Sequence, residues 1–358
     1  HHYRDQRMVE YKAELEQIIP PEEQFFLTGN QPNIINTVYQ LYSDFQGNNL
    51  LSEMADQMLM MPDLFHYLFS GVAVGEKSIL STSGLLDAIS GEPSSEVFSK
   101  LGIPMSIVPK IVSAGTVIGS ILPWLQEELG IGPLQVIAGA SHDTASAVIS
   151  IPYEDKTHAA FISCGTWSLV GMETAEPVTN EQSYNYGFTN ERCFGGTNRL
   201  LKNITGLWIL QETGRIWAEA GEPVSHKDMV DLAGTLNHAV AVIDPNDAIF
   251  STPGNMPQRI QEFCSRTGQP EPQTKAEIIR VILDSLALSY SKSIDELEEL
   301  TGQKISIIHM VGGGIQNELL CQLTANTTHR KVIAGPVEAS AIGNILVQLA
   351  AQGEMEMS

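Results

Sequence analysis

Three consecutive glycines, Gly312-Gly313-Gly314, stand between an apolar run, Ile305 to Val311, and a segment beginning near Ile315 that reads as a helix. A buried strand turning tightly into a helix is the repeating unit of layered α/β folds. The same order recurs along the chain. Lys331 to Ala334 reads as a strand before a helix from Glu338 to Ala351, and Pro133 to Ala140 as an apolar strand leading into Ser141-His142-Asp143-Thr144 and an alanine-rich helix. Thr274 and Glu277 form a capping box that opens a long helix. Along it Ile278, Ile282, Leu286, Tyr290, Ile294 and Leu297 recur at helical spacing, and Gly302 closes it. Two strand-like runs, His158 to Cys164 and Trp167 to Met172, flank only Gly165-Thr166, the spacing of a tight hairpin.

The remaining stretches are read in the same way. Thr205 to about Glu219 is expected to be helical, with Leu207, Leu210 and Trp217 on its apolar face. Residues 8–90 read as mostly helical, with turns at Gly47-Asn48-Asn49 and Met61-Pro62-Asp63 and an amphipathic stretch from Leu85 to Ile89. Leu122 to Leu129 is a helix with Gly130 at its end. Met54, Met58, Met60 and Met61 are expected as core filler. At 358 residues the chain exceeds one typical core, and Ile151-Pro152-Tyr153-Glu154-Asp155-Lys156 is the best boundary between two domains.

A formal charge of −22 disfavours nucleic acid and anionic membrane surfaces, both of which call for a basic face. No apolar run reaches the length of a membrane span. The four cysteines, at 164, 193, 264 and 321, have neither zinc-knuckle nor disulfide-framework spacing, so a cytoplasmic setting is expected. Nine scattered histidines with no His-x-x-x-His argue against a dedicated zinc site.

Four stretches can carry chemistry. Ser141, His142 and Asp143 are adjacent in an extended segment, so they cannot form a nucleophile–base–carboxylate chain with one another. Asp143 stands where a strand gives way to a helix: it either caps that helix or serves a ligand at the carboxyl end of the strand. Gly165-Thr166 is either a plain turn or a phosphate-binding tip. Gly312 to Gly314 is either a tight connection or a backbone surface for a nucleotide, and it completes neither a Walker nor a dinucleotide fingerprint. Asn203 and Gln211, in Leu201 to Gln211, are ligand contacts or ordinary polar positions.

Taken in order, Ala140 to Val148, Ser163 to Ser168 and Val311 to Asn317 resemble the motif series of the FGGY carbohydrate kinase family. Tyr3 to Arg7, Leu201 to Gln211, Ile243 to Asp247, Asn255 to Pro257 and Ala334 to Ser340 narrow the resemblance to the branch acting on L-rhamnulose. The resemblance implies an actin-like, hexokinase-like two-domain α/β fold with a ribonuclease H-like motif. Residues 1–150 would be the remainder of an N-terminal sugar-binding domain, incomplete because the family's opening phosphate loop precedes Tyr3, and 151–358 a C-terminal ATP-binding domain. The sequence is then either part of a longer polypeptide or a truncated chain. The resemblance further implies Asp143 as general base, with His142, Asp143, Thr144 and Asn203 binding the sugar. Thr166, Gln211 and Gly312, Gly313 and Gly314 would bind ATP, Asn317 matches the asparagine of the glycine motif, and Mg²⁺ would accompany the nucleotide. The implied reaction is transfer to O1 of L-rhamnulose in a monomer or homodimer. L-Fuculose or xylulose is the alternative acceptor, and a non-catalytic nucleotide-binding module the alternative of another class.

Overall fold

The computed structural model describes residues 7–47 and 53–356. The stretch beginning at Tyr3 lies outside them except for Arg7, as does the expected Gly47-Asn48-Asn49 turn except for Gly47. The chain divides into two compact units. The first comprises His1–Ser150, Glu173–Leu201 and Ser340–Ser358, the second Ile151–Met172 and Lys202–Ala339.

The first unit opens with α1 (Arg7–Ile18), α2 (Pro21–Thr28) and α3 (Thr37–Gly47), whose apolar faces meet. Met8 and Leu15 of α1 and Val38, Tyr39, Leu41 and Tyr42 of α3 are buried in one cluster. The two buried tyrosines keep hydrogen-bond partners, Tyr39 Oη donating to Glu16 at 3.1 Å and Tyr42 Oη to Glu14 at 2.7 Å. Then follow α4 (Met61–Ser70), β1 (Gly75–Glu76), α5 (Lys77–Leu80) and α6 (Ser95–Leu101). After these come β2 (Ile111–Val112), β3 (Val117–Ser120), α7 (Pro123–Leu129), β4 (Gln135–Ile137) and α8 (Asp143–Ile149). β1 pairs in parallel with β2, and β3 antiparallel with β4.

Four expectations change here. Met61-Pro62-Asp63, expected as a turn, is the first turn of α4, where proline lacks only an amide that has no helical partner anyway. Leu85 to Ile89 is irregular, with Leu86 bridged to Pro93 and a turn from Ala88, because Asp87 Oδ1 takes the amides of Ile89 and Ser90 and so competes with a helix. The strand expected from Pro133 to Ala140 shortens to Gln135–Ile137: proline cannot donate to a ladder, and beyond the strand Ala138 N–H bonds Thr116 O at 2.9 Å. Of the methionines, Met58 packs on the core, whereas Met54 and Met61 are exposed.

From Ile151 the chain builds the second unit, starting with β5 (Ala159–Cys164) and β6 (Trp167–Thr174), a hairpin whose tip is Gly165-Thr166. The unit boundary falls inside β6, and the chain runs through α9 (Glu181–Tyr186) and β7 (Thr189–Arg192) of the first unit. β8 (Asn198–Thr205) pairs antiparallel with β7, Glu191 opposite Arg199, and re-enters the second unit. There follow α10 (Trp208–Glu219), α11 (His226–Gly234), α12 (Met256–Arg266), α13 (Lys275–Thr301), β9 (Ile307–Val311), α14 (Glu318–Thr328) and β10 (Lys331–Ala334). The final helix, α15 (Ala339–Ala351), belongs to the first unit from Ser340 onward.

In the second unit β9 pairs in parallel with both β10 and β5, as strand–helix alternation requires. The capping box at Thr274 and Glu277 opens α13, and Gly302, at φ 69°, closes it. All six of the residues expected on its apolar face are buried. Thr205 belongs to β8 rather than to the helix that follows, since its amide bonds Asn246 Oδ1 at 2.8 Å and the first helical turn waits for Trp208.

Candidate active site

In the first unit the turn from β4 into α8 is held from several sides. The Glu76 carboxylate, buried beneath it, accepts the amides of Ser78 at 2.9 Å, Ile79 at 3.3 Å and Ser141 at 3.0 Å, and the Ser78 hydroxyl. Burial pushes the Glu76 carboxyl up, against the pull of those donors. Ser78 Oγ in turn accepts His142 N–H at 3.2 Å, and Ser146 Oγ donates back to Ala140 O at 2.7 Å. Ser340 Oγ donates to Asp143 O at 2.9 Å. Gly343 of α15 lies so close to α8 that an added Cβ would be 2.6 Å from the Ser146 carbonyl carbon.

His142, rather than Asp143, takes the N-cap position: its Nδ1 accepts Thr144 N–H at 3.2 Å. Asp143 is the first helical residue, and its Oδ1 accepts the same amide at 2.7 Å. Among the described residues the carboxylate makes its contacts through Oδ1, and the side chain is 83% exposed. Asp143 lines a cavity of about 540 Å³ together with His66, Ser141, Ser340, Asn344 and Ile345. Thr144 is buried, its hydroxyl 3.4 Å from Asp143 Oδ1. Burial lowers the His142 pKa; Glu191 and Asp143 oppose that shift, and Arg199 adds to it.

The second unit gathers the expected nucleotide residues. Gly165 O and Thr166 O accept the amides of Leu207 and Trp208 at 3.0 and 3.1 Å, which ties the hairpin tip to the start of α10. One turn on, Gln211 Oε1 accepts the Thr166 hydroxyl at 3.2 Å. Gly206 lies flat on the hairpin: a Cβ there would sit 2.5 Å from Ser168 Oγ, 2.7 Å from Ser168 N and 2.8 Å from the Trp167 carbonyl carbon. Ser168 Oγ itself shares a 2.6 Å hydrogen bond with the fully buried Tyr290 hydroxyl. Burial pushes the neighbouring Cys164 thiol up to about 11, so it packs as an inert small side chain.

The three glycines divide their work. A Cβ on Gly312 would come 3.0 Å from Cys164 O, and one on Gly314 would come 2.7 Å from the same oxygen and 2.9 Å from Leu207 Cδ1. These two pack the strand-to-helix turn against the hairpin, whereas Gly313 faces open space. Asn317 caps α14, its Oδ1 accepting Leu320 N–H at 3.0 Å. Asn203 is an exposed residue of β8 in this unit, whereas His142 to Thr144 belong to the first. Glu76, Gly206 and Gly343 were not singled out by sequence reasoning; Gly206 could have been, since a glycine between a strand and a helix implies close backbone approach.

Beside the hairpin Gly313 leaves its backbone open, with Thr166 and Gln211 hydrogen-bonded to each other in the same unit. Among the described residues no three His, Cys, Asp or Glu groups converge to hold a metal ion. Nor is any described helix long and apolar enough to cross a membrane.

Two mixed α/β units, one presenting a carboxylate at a strand-to-helix turn and the other a glycine-backed hairpin, agree with the actin-like, hexokinase-like fold of a carbohydrate kinase. Residues 2–150 match the N-terminal domain, and residues 160–352 the C-terminal domain, of the FGGY family of carbohydrate kinases. The chain is 37% identical over 352 residues to a rhamnulokinase of Bacteroides thetaiotaomicron, an alignment covering 98% of this chain and 72% of that protein. It is 36% identical over 354 residues to a rhamnulokinase of Lactiplantibacillus plantarum, covering 99% and 71%. In fold it is similar to the crystal structure of gluconate kinase from Lactobacillus acidophilus, with a TM-score of 0.80, 16% identity, and coverage of 99% of this chain and 71% of that one. The chain belongs to the FGGY family of carbohydrate kinases.

Proposed function

We propose that this kinase phosphorylates a ketose, L-rhamnulose, at O1, with ATP as donor and Asp143 as general base. The observation that carries the reading is the Asp143 carboxylate, held through Oδ1 and 83% exposed beside a cavity able to admit a sugar. A primary hydroxyl is a poor nucleophile. As O1 attacks the γ-phosphorus, its proton passes to Asp143, the O1–P bond forms, and the bond from phosphorus to the departing ADP oxygen breaks. His142 and Thr144 hold the helix start that aims the carboxylate, and family resemblance adds Asn203 as a contact to the ketose. Thr166, Gln211 and the exposed backbone at Gly313 bind ATP, while Gly312 and Gly314 let that backbone lie against the hairpin. Mg²⁺, when carried by the nucleotide, supplies charge neutralisation at the phosphates. The choice of L-rhamnulose rests on the two relatives named rhamnulokinase.

Asp143→Asn should lower kcat by roughly 10²- to 10⁴-fold, the usual contribution of a general base, while calorimetric ATP affinity stays within about twofold. Wild-type kcat in that variant would remove Asp143 as the base. Turnover measured with L-rhamnulose, L-fuculose and xylulose tests the acceptor: a higher kcat/KM for either of the latter two would overturn the choice of sugar.

A further inference from the structure

We infer that Glu191 and Arg199, a buried pair behind the turn that carries Asp143, are positioning residues that keep His142 a neutral hydrogen-bond acceptor. The inference rests on the reading of Asp143 as the base. Glu191 of β7 and Arg199 of β8 are directly opposite in the antiparallel pair. Arg199 is fully buried and donates from Nη2 to Glu191 Oε2 at 2.7 Å, while its Nε and Nη1 find no hydrogen-bond partner. The same Oε2 stands 3.9 Å from His142 Nε2.

On its other edge the imidazole does structural work. Nδ1 accepts Thr144 N–H, so the ring proton sits on Nε2, facing Glu191. An imidazolium has no acceptor and would leave that amide to Asp143 Oδ1 alone, which already takes it at 2.7 Å. Its Nδ1–H would turn instead to Asp143 Oδ1, 3.5 Å away, and engage the carboxylate meant to receive the substrate proton. The charged groups facing the His142 ring are Glu191 from β7, Arg199 from β8 and Asp143 from its own helix, while the Ser78 hydroxyl of α5, backed by Glu76, takes the main-chain N–H of His142.

Arg199 decides which state prevails. With it, the Glu191 charge is already compensated and burial favours the neutral ring. Without it, an uncompensated buried carboxylate lies 3.9 Å from Nε2, and protonating His142 is the nearest way to neutralise it. The arginine therefore protects the base at a distance, through a glutamate and a histidine.

The test combines a spectrum with a pH profile. Long-range ¹H–¹⁵N correlation of the wild-type protein labelled at histidine, with His142→Gln for assignment, should show His142 as the Nε2–H tautomer at neutral pH. A cationic ring or an Nδ1–H tautomer would overturn the inference whatever the sugar. Arg199→Met should move the acid limb of kcat/KM upward by at least one pH unit and convert His142 to the cation in the same range. Adding Glu191→Gln to that variant should return both toward their wild-type positions. Loss of melting temperature in Arg199→Met, with the pH limb and the tautomer unmoved, would leave only a structural ion pair and refute the proposal. If Asp143→Asn retains turnover while the histidine spectra behave as described, the base assignment fails and the control of His142 stands.

Discussion

Replacing Gly206 by alanine tests how the proposed nucleotide-binding hairpin is built. A Cβ at this position meets two backbone atoms of the hairpin, Ser168 N at 2.7 Å and the Trp167 carbonyl carbon at 2.8 Å, and neither can rotate aside. The third neighbour, Ser168 Oγ, is held by Tyr290. Ordinary van der Waals contact begins at 3.4 Å, so α10 and the hairpin tip must part by about 0.7 Å, the difference between that distance and 2.7 Å. The Thr166 to Gln211 hydrogen bond, now 3.2 Å, would lengthen beyond hydrogen-bonding range. Overpacking of this kind costs about 1–3 kcal/mol of stability. A misplacement approaching 1 Å lowers catalytic efficiency by roughly 10- to 100-fold, and here it should fall on KM for ATP more than on KM for the sugar. Steady-state kinetics with ATP varied, nucleotide calorimetry and thermal melting read the three effects. Gly313→Ala is the steric control, since its Cβ meets nothing within 4 Å, and it should keep the wild-type melting temperature. A Gly206→Ala protein with unchanged KM for ATP and unchanged melting temperature would refute the argument that this glycine sets the hairpin.

Three further outcomes follow from the geometry. Gly343→Ala forces α15 away from the Ser146 carbonyl, so it should cost at least 1–3 kcal/mol in denaturant unfolding and lower kcat more than it changes ATP affinity; full stability would show that the helices part freely. Glu76→Gln places an amide where four donors converge, so about 1–3 kcal/mol of stability should be lost, and an unchanged melting temperature would contradict the buried acceptor role. His142 and His309 both have folded-state pKa values lowered by burial, so the unfolded chain binds more protons below about pH 6.5. Their contribution is thus present above that pH and lost as pH falls through it; urea midpoints that do not decline from pH 7 toward pH 5 would count against it.

Much of the second unit was legible in the residues. The capping box, the apolar repeat from Ile278 to Leu297 and the closing Gly302 are interactions among neighbours a few positions apart, and α13 runs as they require. The Gly165-Thr166 hairpin and the strand at Lys331 to Ala334 carry equally local signals. Where nearby side chains offered the backbone other partners, as Asp87 does for Ile89 and Ser90, the periodic pattern misled. The order of the three motifs also indicated the family, because each is a strand followed by a turn that only certain residues can make.

By itself, then, the sequence determined which segments are strands and helices wherever the governing contacts span one or two turns. It also determined that a carboxylate stands at position 143, a hydroxyl at 166 and a bare backbone at 313. Tertiary structure alone decided their working relations. His142 takes the cap and leaves Asp143 exposed. Gly312 and Gly314 serve packing while Gly313 stays open. Glu191 and Arg199 lie behind a histidine some fifty positions earlier in the chain. The physical reason is range: propensity and capping act along the chain, whereas a buried charge pair or the approach of two backbones exists only once distant segments have closed on one another.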